Sequence, residues 1–437
     1  MDIRDLYLEF LAGSGISTDS RLIKPGQLFF GLSGTRAKGS DFAQQAIQNG
    51  ARYAIVDDPD LAGHPGCILV TSALETLQQL ATWHRHQLKI PVIGITGSVG
   101  KTTTKALIQA VLSSKYRAFC TLGNLNNHIG VPLSVLSITG EHEIAIIEMG
   151  ANHIGEIEAL CEIARPTHGL ITRIGKAHLE GFGSLEGVLI AKTELFRYLL
   201  KNKGLAFIND QDELILAASK GFDMEKIFIH QAVGSSILAA DPLLTIRLEL
   251  NGEPAMEIKT RIPGSYNLEN IDAAACIGRF FQVPAPEIKE ALEKFESTSN
   301  RSQVIEYEDN SYLMDAYNAN PVSMAEAVRS FAGIPTTKKK VLILGEMREL
   351  GTDSPAEHQM ILDLISQYPW AGVILVGKEY TDLVISDRYY YFPDLESLKP
   401  WFREHKFRDT FFLIKGSRGV ALEQLFDPGT ISPGSAH

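Results

Sequence analysis

The segment that most constrains this chain spans residues 92–112. An apolar run over 92–95 leads into Thr96-Gly97-Ser98-Val99-Gly100-Lys101-Thr102-Thr103, and a helical stretch over 105–112 follows. Strand, glycine-rich turn, Lys-Thr and helix are the setting that a phosphate-binding loop requires. Gly97 and Gly100 let backbone amides approach phosphate, and those amides together with the helix N-terminus supply positive potential. Lys101 can reach the outer phosphates and the Thr102 hydroxyl can bind Mg²⁺, with Ser98 and Thr103 completing the loop. The loop reads TGxxGKT, and Ile95 stands where the usual GxxxxGK[ST] pattern has glycine. A tight glycine turn beside a lysine is the plain alternative. The flanking strand and helix argue for the phosphate loop.

Such a loop sits on a parallel sheet, and the rest of the chain supplies one. Short apolar runs at 27–32, 53–56, 91–95, 144–148, 169–174, 341–344, 373–376 and 411–414 alternate with helical patterns. Several are continuous Val/Ile/Leu stretches, as in strands buried on both faces. The expectation is an α/β protein. Its 437 residues suffice for two to four domains. Three blocks are predicted: 1–88, ending in a helix-like stretch over 73–88; 89–299, opened by the Pro91 strand; and 300–437, holding the last three runs. Polar residues 296–301 read as a linker, and the Gly/Ser/Pro-rich tail 428–437 as a frayed end.

Net charge is −11, from 41 basic and 52 acidic residues, which argues against a general nucleic-acid or membrane-surface role. Cys67, Cys120, Cys161 and Cys276 form no CxxC pair, so neither a zinc site nor a disulfide framework is indicated. The first ten residues include Asp2, Arg4, Asp5 and Glu9, with no apolar segment after them, and no run is long enough to span a bilayer. A cytoplasmic protein without membrane insertion is expected.

Other residues carry chemistry less plainly. Glu148 ends an apolar strand, where it can hold Mg²⁺ near the phosphates or stand as a solvated strand terminus. His178 lies beyond the 169–174 run, as a ligand or a surface residue. In the predicted helix 184–198, Leu185, Val188, Leu189, Leu195 and Phe196 define an apolar face, and Lys192 falls inside it. That lysine can snorkel out, or it can stay buried as a neutral amine able to take up CO₂ as an anionic carbamate.

Seven segments in order then resemble one family: TGSVGKTTTK (96–105), GNLNNHIGVPLSVL (123–136), EMGANHIGEI (148–157), GKAHLEGFGSLEGVLIAKTELF (175–196), PGSYNLENIDAAA (263–275), DAYNANPVSMAEA (315–327) and LGEMRELG (344–351). The chain resembles the Mur ligases over nearly its whole length. The resemblance implies a central phosphate-loop, mononucleotide-binding parallel-sheet domain. A small α/β N-terminal domain and a Rossmann-like C-terminal domain flank it.

It also implies roles. Thr102 and Glu148 would ligate one Mg²⁺, and His178 with a carbamylated Lys192 a second. Asn270 would contact adenine, while Arg301 and Asp315 would meet the phosphates and ribose of ATP. Ser20 and Arg21, within 17–21 and 26–31, would belong to the uridine-nucleotide pocket, and Asn124, Asn127 and His128 would handle the muramoyl peptide. On composition alone, 124–128 is a polar loop and Arg301 and Asp315 a solvated edge. The LGEMRELG stretch is either part of an incoming-dipeptide site or a strand–helix turn. Relatives commonly have Asn at Arg173.

The implied reaction joins D-alanyl-D-alanine to a UDP-linked muramoyl tripeptide through an acyl-phosphate, with ATP consumed and a monomer expected. Rival readings are a diaminopimelate- or lysine-adding relative, a folylpolyglutamate synthase, or a phosphate-loop switch without ligase chemistry. The DNPR motif typical of the diaminopimelate branch is absent, and NNHIGVP and YNANP fit the dipeptide branch.

Overall fold

A computed structural model describes residues 2–34, 37–297, 301–383, 386–387 and 389–426. The predicted frayed tail at 428–437 and residues 298–300 of the predicted linker lie outside the described residues. The architecture is α/β, with four sheets among the described residues.

The central sheet has six parallel strands in the order Glu225–Phe228, Leu205–Ile208, His168–Ile171, Val92–Thr96, Ile144–Glu148 and Ala118–Cys120. Val92–Thr96 and Ile144–Glu148 are buried at every residue, because helices cover both faces. They pair in register, Ile95 opposite Glu148, so the phosphate loop and the carboxylate leave the sheet side by side. Ligands of open parallel sheets collect at this carboxyl edge.

The C-terminal block has its own six-stranded sheet, ordered Gln303–Tyr307, Asn310–Asp315, Thr410–Lys415, Lys339–Gly345, Gly372–Val376 and Tyr389–Phe392. Only its first pair is antiparallel. The N-terminal block has four short parallel strands, Ile16–Ser17, Leu28–Phe30, Tyr53–Val56 and Cys67–Leu69. The helix Ala73–Gln87 packs beneath these and against Gly130–Leu136 and Glu156–Ala164. Arg85, near the end of that helix, is buried and donates to the carbonyls of Ala164, Leu88 and Arg165, tying the blocks together.

The structure departs from the sequence reading in several places: strands such as Ala118–Cys120, Leu205–Ile208, Glu225–Phe228 and Asn310–Asp315 were not among the expected runs. The predicted 169–174 strand ends at Ile171, and 172–174 turns toward the phosphate loop: Ser98 N donates to the Arg173 carbonyl at 2.8 Å. The predicted helix 184–198 is two helices, Leu185–Lys192 and Glu194–Lys201, joined at Thr193. An antiparallel sheet of Val233–Ala240, Leu243–Leu250 and Met256–Pro263 was not anticipated. From Leu244 its middle strand alternates buried with more exposed residues, so it lacks the continuous apolar run that marks the parallel strands.

Candidate active site

Gly97 (φ 144°) and Gly100 (φ 87°) both have backbone angles that disfavour side chains. At Gly100 a Cβ would also lie 2.7 Å from Asn270 Oδ1. Gly100 caps the helix Lys101–Ser113, whose first amides face the loop. Lys101 Nζ donates to the Gly97 carbonyl at 2.6 Å. Burial lowers the Lys101 pKa against the pull of Glu148, and Arg301 pushes the same way as burial.

Glu148 is the electrostatic centre. It is 1% exposed, so the solvated-terminus alternative is excluded. Thr102 Oγ1 donates to it at 3.1 Å, Asn126 Nδ2 at 2.7 Å, and the Lys105 ammonium lies 3.0 Å away. Burial alone would raise its pKa, but Lys105, Lys101 and Asn126 together hold it below the ordinary value. Lys105 also donates to the carbonyls of Thr121 and Gly123. Sequence reasoning missed both Lys105 and Asn126. Lys105 lies one turn along from Lys101 on the same helix, and Asn126 sits between two asparagines that were singled out.

Lys192 does not snorkel. It is 2% exposed; its ammonium lies 5.1 Å from the Phe182 ring centre and 3.3 Å from the Ala151 carbonyl. Desolvation, with Lys101 adding repulsion, brings its pKa down to about 7. The His178 ring flanks the same Phe182, at 6.4 Å between centroids. His178 Nδ1 is 2.5 Å from Glu349 Oε2 of the LGEMRELG stretch, and this contact depresses the Glu349 pKa.

A cavity of about 850 Å³ joins these groups. Its wall includes Ser98, Gly100, Lys101, Thr102, Thr103, Glu148, His178, Asn270, Asn124, Asn127 and His128, together with Arg301 and Asp315 from the C-terminal block. The N-terminal block reaches it through Gln78, which donates to the His128 carbonyl at 3.0 Å. Asn270 accepts from Thr104 and donates to Asn267, each at 2.8 Å. Arg301 lies 3.7 Å from the Tyr317 ring centre, with its Nε buried and without a hydrogen-bond partner. Asp315 accepts from Lys415 at 2.5 Å and from the Ser302 amide at 3.2 Å. Arg348 and Arg418 add positive charge on the same side.

Not every predicted residue reaches this wall. Gly97 and Lys192 lie behind it. Ser20 and Arg21 are not among the lining residues: Ser20 is buried and donates to Gln45 at 2.8 Å, and Arg21 is exposed and paired with Asp19 at 2.6 Å. Arg173 is also outside the wall, held by Glu269 at 3.3 Å and by Glu326, so its guanidinium faces carboxylates.

Among the described residues, no three His, Cys, Asp or Glu side chains gather as a metal site. A cation here would therefore rest on mixed donors. Thr102 and Glu148 are already within hydrogen-bond distance, and burial brings the Lys192 pKa down to about 7, so near neutral pH a substantial share of this amine is uncharged. No described helix is long and apolar enough to cross a membrane.

The chain matches three family models in order: the Mur ligase family catalytic domain over residues 14–94, the Mur ligase middle domain over 95–278, and the Mur ligase glutamate ligase domain over 300–418. It is 34% identical to the UDP-N-acetylmuramoyl-tripeptide–D-alanyl-D-alanine ligase of Bacillus subtilis, over 94% of this chain and 92% of that protein. The crystal structure of MurF from Acinetobacter baumannii superposes with a TM-score of 0.84 at 30% identity, covering 94% of this chain and 92% of that one. MurF ligase from Thermotoga maritima in complex with ADP superposes with a TM-score of 0.83 at 26% identity, covering 95% and 96%. With its three blocks matched in sequence and in space, the chain belongs to the Mur ligase family.

Proposed function

We propose that the protein is an ATP-dependent amide ligase that joins D-alanyl-D-alanine to UDP-N-acetylmuramoyl-tripeptide, yielding the pentapeptide precursor of peptidoglycan, ADP and phosphate. The observation that carries this reading is the cavity itself. A phosphate loop and a buried carboxylate face Arg301, Asp315 and Lys415 of another block across a space of about 850 Å³. The names of the relatives point to the same reaction. Blocks 1–88, 89–299 and 300–437 divide the work into holding the uridine nucleotide, transferring phosphate, and closing on ATP while admitting the dipeptide.

The tripeptide carboxylate attacks the γ-phosphorus of ATP, and the bond to the ADP oxygen breaks. The free amine of D-alanyl-D-alanine then attacks the acyl carbon. The tetrahedral adduct loses a proton and expels inorganic phosphate, leaving the amide. An anionic nucleophile approaching a polyanion is opposed by charge, and Lys101 and the loop amides offset that repulsion. Arg301 and Asp315 orient the nucleotide, with Asn270 beside the adenine. Asn124, Asn127 and His128 carry the muramoyl peptide, and Ser20 and Arg21 meet its uridine end outside the cavity. Enclosure by three blocks keeps water from the acyl-phosphate.

The donor set suits Mg²⁺, with Thr102 and Glu148 to hold one ion and His178 and a carbamylated Lys192 a second. Bound there, Mg²⁺ supplies further charge neutralisation at the phosphates. Carbamylation needs the neutral amine: its nitrogen bonds to the carbon of CO₂ and releases a proton. A cytoplasmic monomer is part of the same reading, since ATP and UDP-linked sugars are cytosolic metabolites.

The test is ADP release with each of ATP, UDP-muramoyl tripeptide and D-alanyl-D-alanine omitted in turn, followed by mass spectrometry of the nucleotide product. Rapid release only with all three, and a mass gain matching the dipeptide, is expected. Faster addition of diaminopimelate or lysine to a UDP-dipeptide would assign the chain to a neighbouring branch. Phosphate release without acceptor or amine would make it a switch.

A further inference from the structure

Two cations and a histidine, Arg173, Lys176 and His178, lie within residues 173–178, and each meets a glutamate of the C-terminal block. Arg173 pairs with Glu326 on the helix Pro321–Gly333. Lys176 Nζ is 2.5 Å from Glu357 on the helix Ser354–Ser366. His178 meets Glu349, beyond the strand Lys339–Gly345. Three separate elements of one block are thus gripped by a single short loop.

The backbone of this loop touches both sides. Gly175 lies so close to Val322 that a Cβ would come within 2.5 Å of its Cγ2. Toward the central block, Ser98 N donates to the Arg173 carbonyl and Ser98 Oγ to the Gly175 carbonyl, both at 2.8 Å, and Thr172 Oγ1 donates to the Val99 carbonyl at 2.5 Å. The same few residues therefore bond to the phosphate loop and clamp the block that carries Arg301, Asp315 and Lys415.

Glu357 gives the contact its force. Its side chain is 3% exposed and, among the described residues, Lys176 supplies its one ion pair and its second oxygen is buried without a hydrogen-bond partner. Removing Lys176 leaves a desolvated carboxylate in the closed arrangement, whereas opening would rehydrate it. The Lys176 side chain is 42% exposed, so solvent screens its end of the pair, and the contact draws its strength from the buried Glu357 carboxylate.

We propose that residues 172–178 form a clasp in which Arg173 and Lys176 are positioning residues, holding the C-terminal block over the phosphate loop and thereby setting nucleotide affinity. The proposal rests on the ATP-using reading above. A protein whose closed form is less populated binds nucleotide more weakly by that fraction, yet saturating nucleotide still draws it closed. KM for ATP should therefore move while kcat stays.

The test is a double-mutant cycle in the full chain with Lys176→Ala and Glu357→Gln, plus Lys176→Arg and Arg173→Ala. ADP binding is read by calorimetry, ATP kinetics by product formation, and compactness by X-ray scattering. Lys176→Ala and Arg173→Ala should each weaken ADP binding and raise the ATP KM by ~5–10-fold, with kcat at saturating ATP within ~2-fold. Lys176→Arg should retain wild-type behaviour, and the Lys176→Ala/Glu357→Gln double variant should be no worse than Lys176→Ala alone. The radius of gyration of the nucleotide-free protein should rise in the alanine variants. Additive effects in the cycle, unchanged ADP affinity, or a fall in kcat at constant KM would each overturn the clasp. Calorimetry and scattering need no turnover. A wild-type protein that binds ADP but makes no amide would therefore sink the ligase reading while these two arms still judged the clasp.

Discussion

The two faces of the cavity are built differently. On the central face, Lys101, Thr102, Glu148 and Lys105 come from one helix and one neighbouring strand, and the charges are paired before any ligand arrives. On the C-terminal face, Arg301, Arg348 and Arg418 project from separate elements. Arg348 and Arg418 have more than half of their side-chain surface in solvent, and Arg301 leans on Tyr317. A face with fixed, desolvated charge is suited to stabilising a transferring phosphoryl group. A face whose position depends on how two blocks pack is suited to controlling binding and release. Damage to the first should appear in kcat, and damage to the second in KM.

The strongest attempt to break this contrast is Lys101→Ala. It should fold with nearly unchanged thermal stability and lose about 10²- to 10³-fold in kcat, measured by ADP release at saturating substrates. Near-normal turnover would remove the phosphate-loop assignment. Lys192→Ala should lose about 10²-fold, and added formate or acetate should restore part of the activity if an anion is what the position supplies. Full activity without rescue would refute the carbamate.

Lys105→Met tests whether the central face is held together by charge. It leaves Glu148 buried without its ion-pair partner, which should lower stability by about 3–5 kcal/mol in denaturant unfolding. A change below about 1 kcal/mol would mean that Glu148 is rehydrated or protonated at little penalty. On the other face, Arg301→Ala should raise the ATP KM by about tenfold, the loss of one charge-assisted contact, and lower kcat less. Equal losses in kcat and kcat/KM would place Arg301 with the central group instead.

The remaining prediction is a pH dependence. The Lys192 pKa falls from 10.5 to about 7 on folding, so between those values the unfolded chain binds a proton that the folded chain does not. Stability from this site therefore rises with pH through that window and is poorest below it. In CO₂-depleted buffer, Lys192→Met should melt higher than wild type at pH 6.5, and the difference should shrink by pH 9.5. A pH-independent difference would show that the lysine is not desolvated in solution.

Much of this was legible in the chain. The phosphate loop could be read because its chemistry is local: two glycines, a lysine and a threonine must lie close together along the chain to wrap a phosphate. The strands 53–56 and 144–148 were legible in full, because burial on both faces demands unbroken apolar runs. The amphipathic antiparallel strands near 233–263 were not seen, since their alternation resembles a polar loop when only continuous runs are sought. Arg173 departs from the asparagine common in relatives, and nothing nearby in the chain pointed to its partners, Glu269 and Glu326, from a helix of its own block and one of the next.

The sequence by itself determined the family, the α/β class and the phosphate loop with its acidic neighbour, because each is written in residues close together along the chain. Tertiary structure alone decided that Lys192 is buried, that Lys105 pairs with Glu148, and that Glu326, Glu349 and Glu357 meet the loop at 173–178. The physical reason is that desolvation and ion pairing depend on what packs against a side chain. Here those neighbours come from other segments, as far away as 181 residues between Lys176 and Glu357.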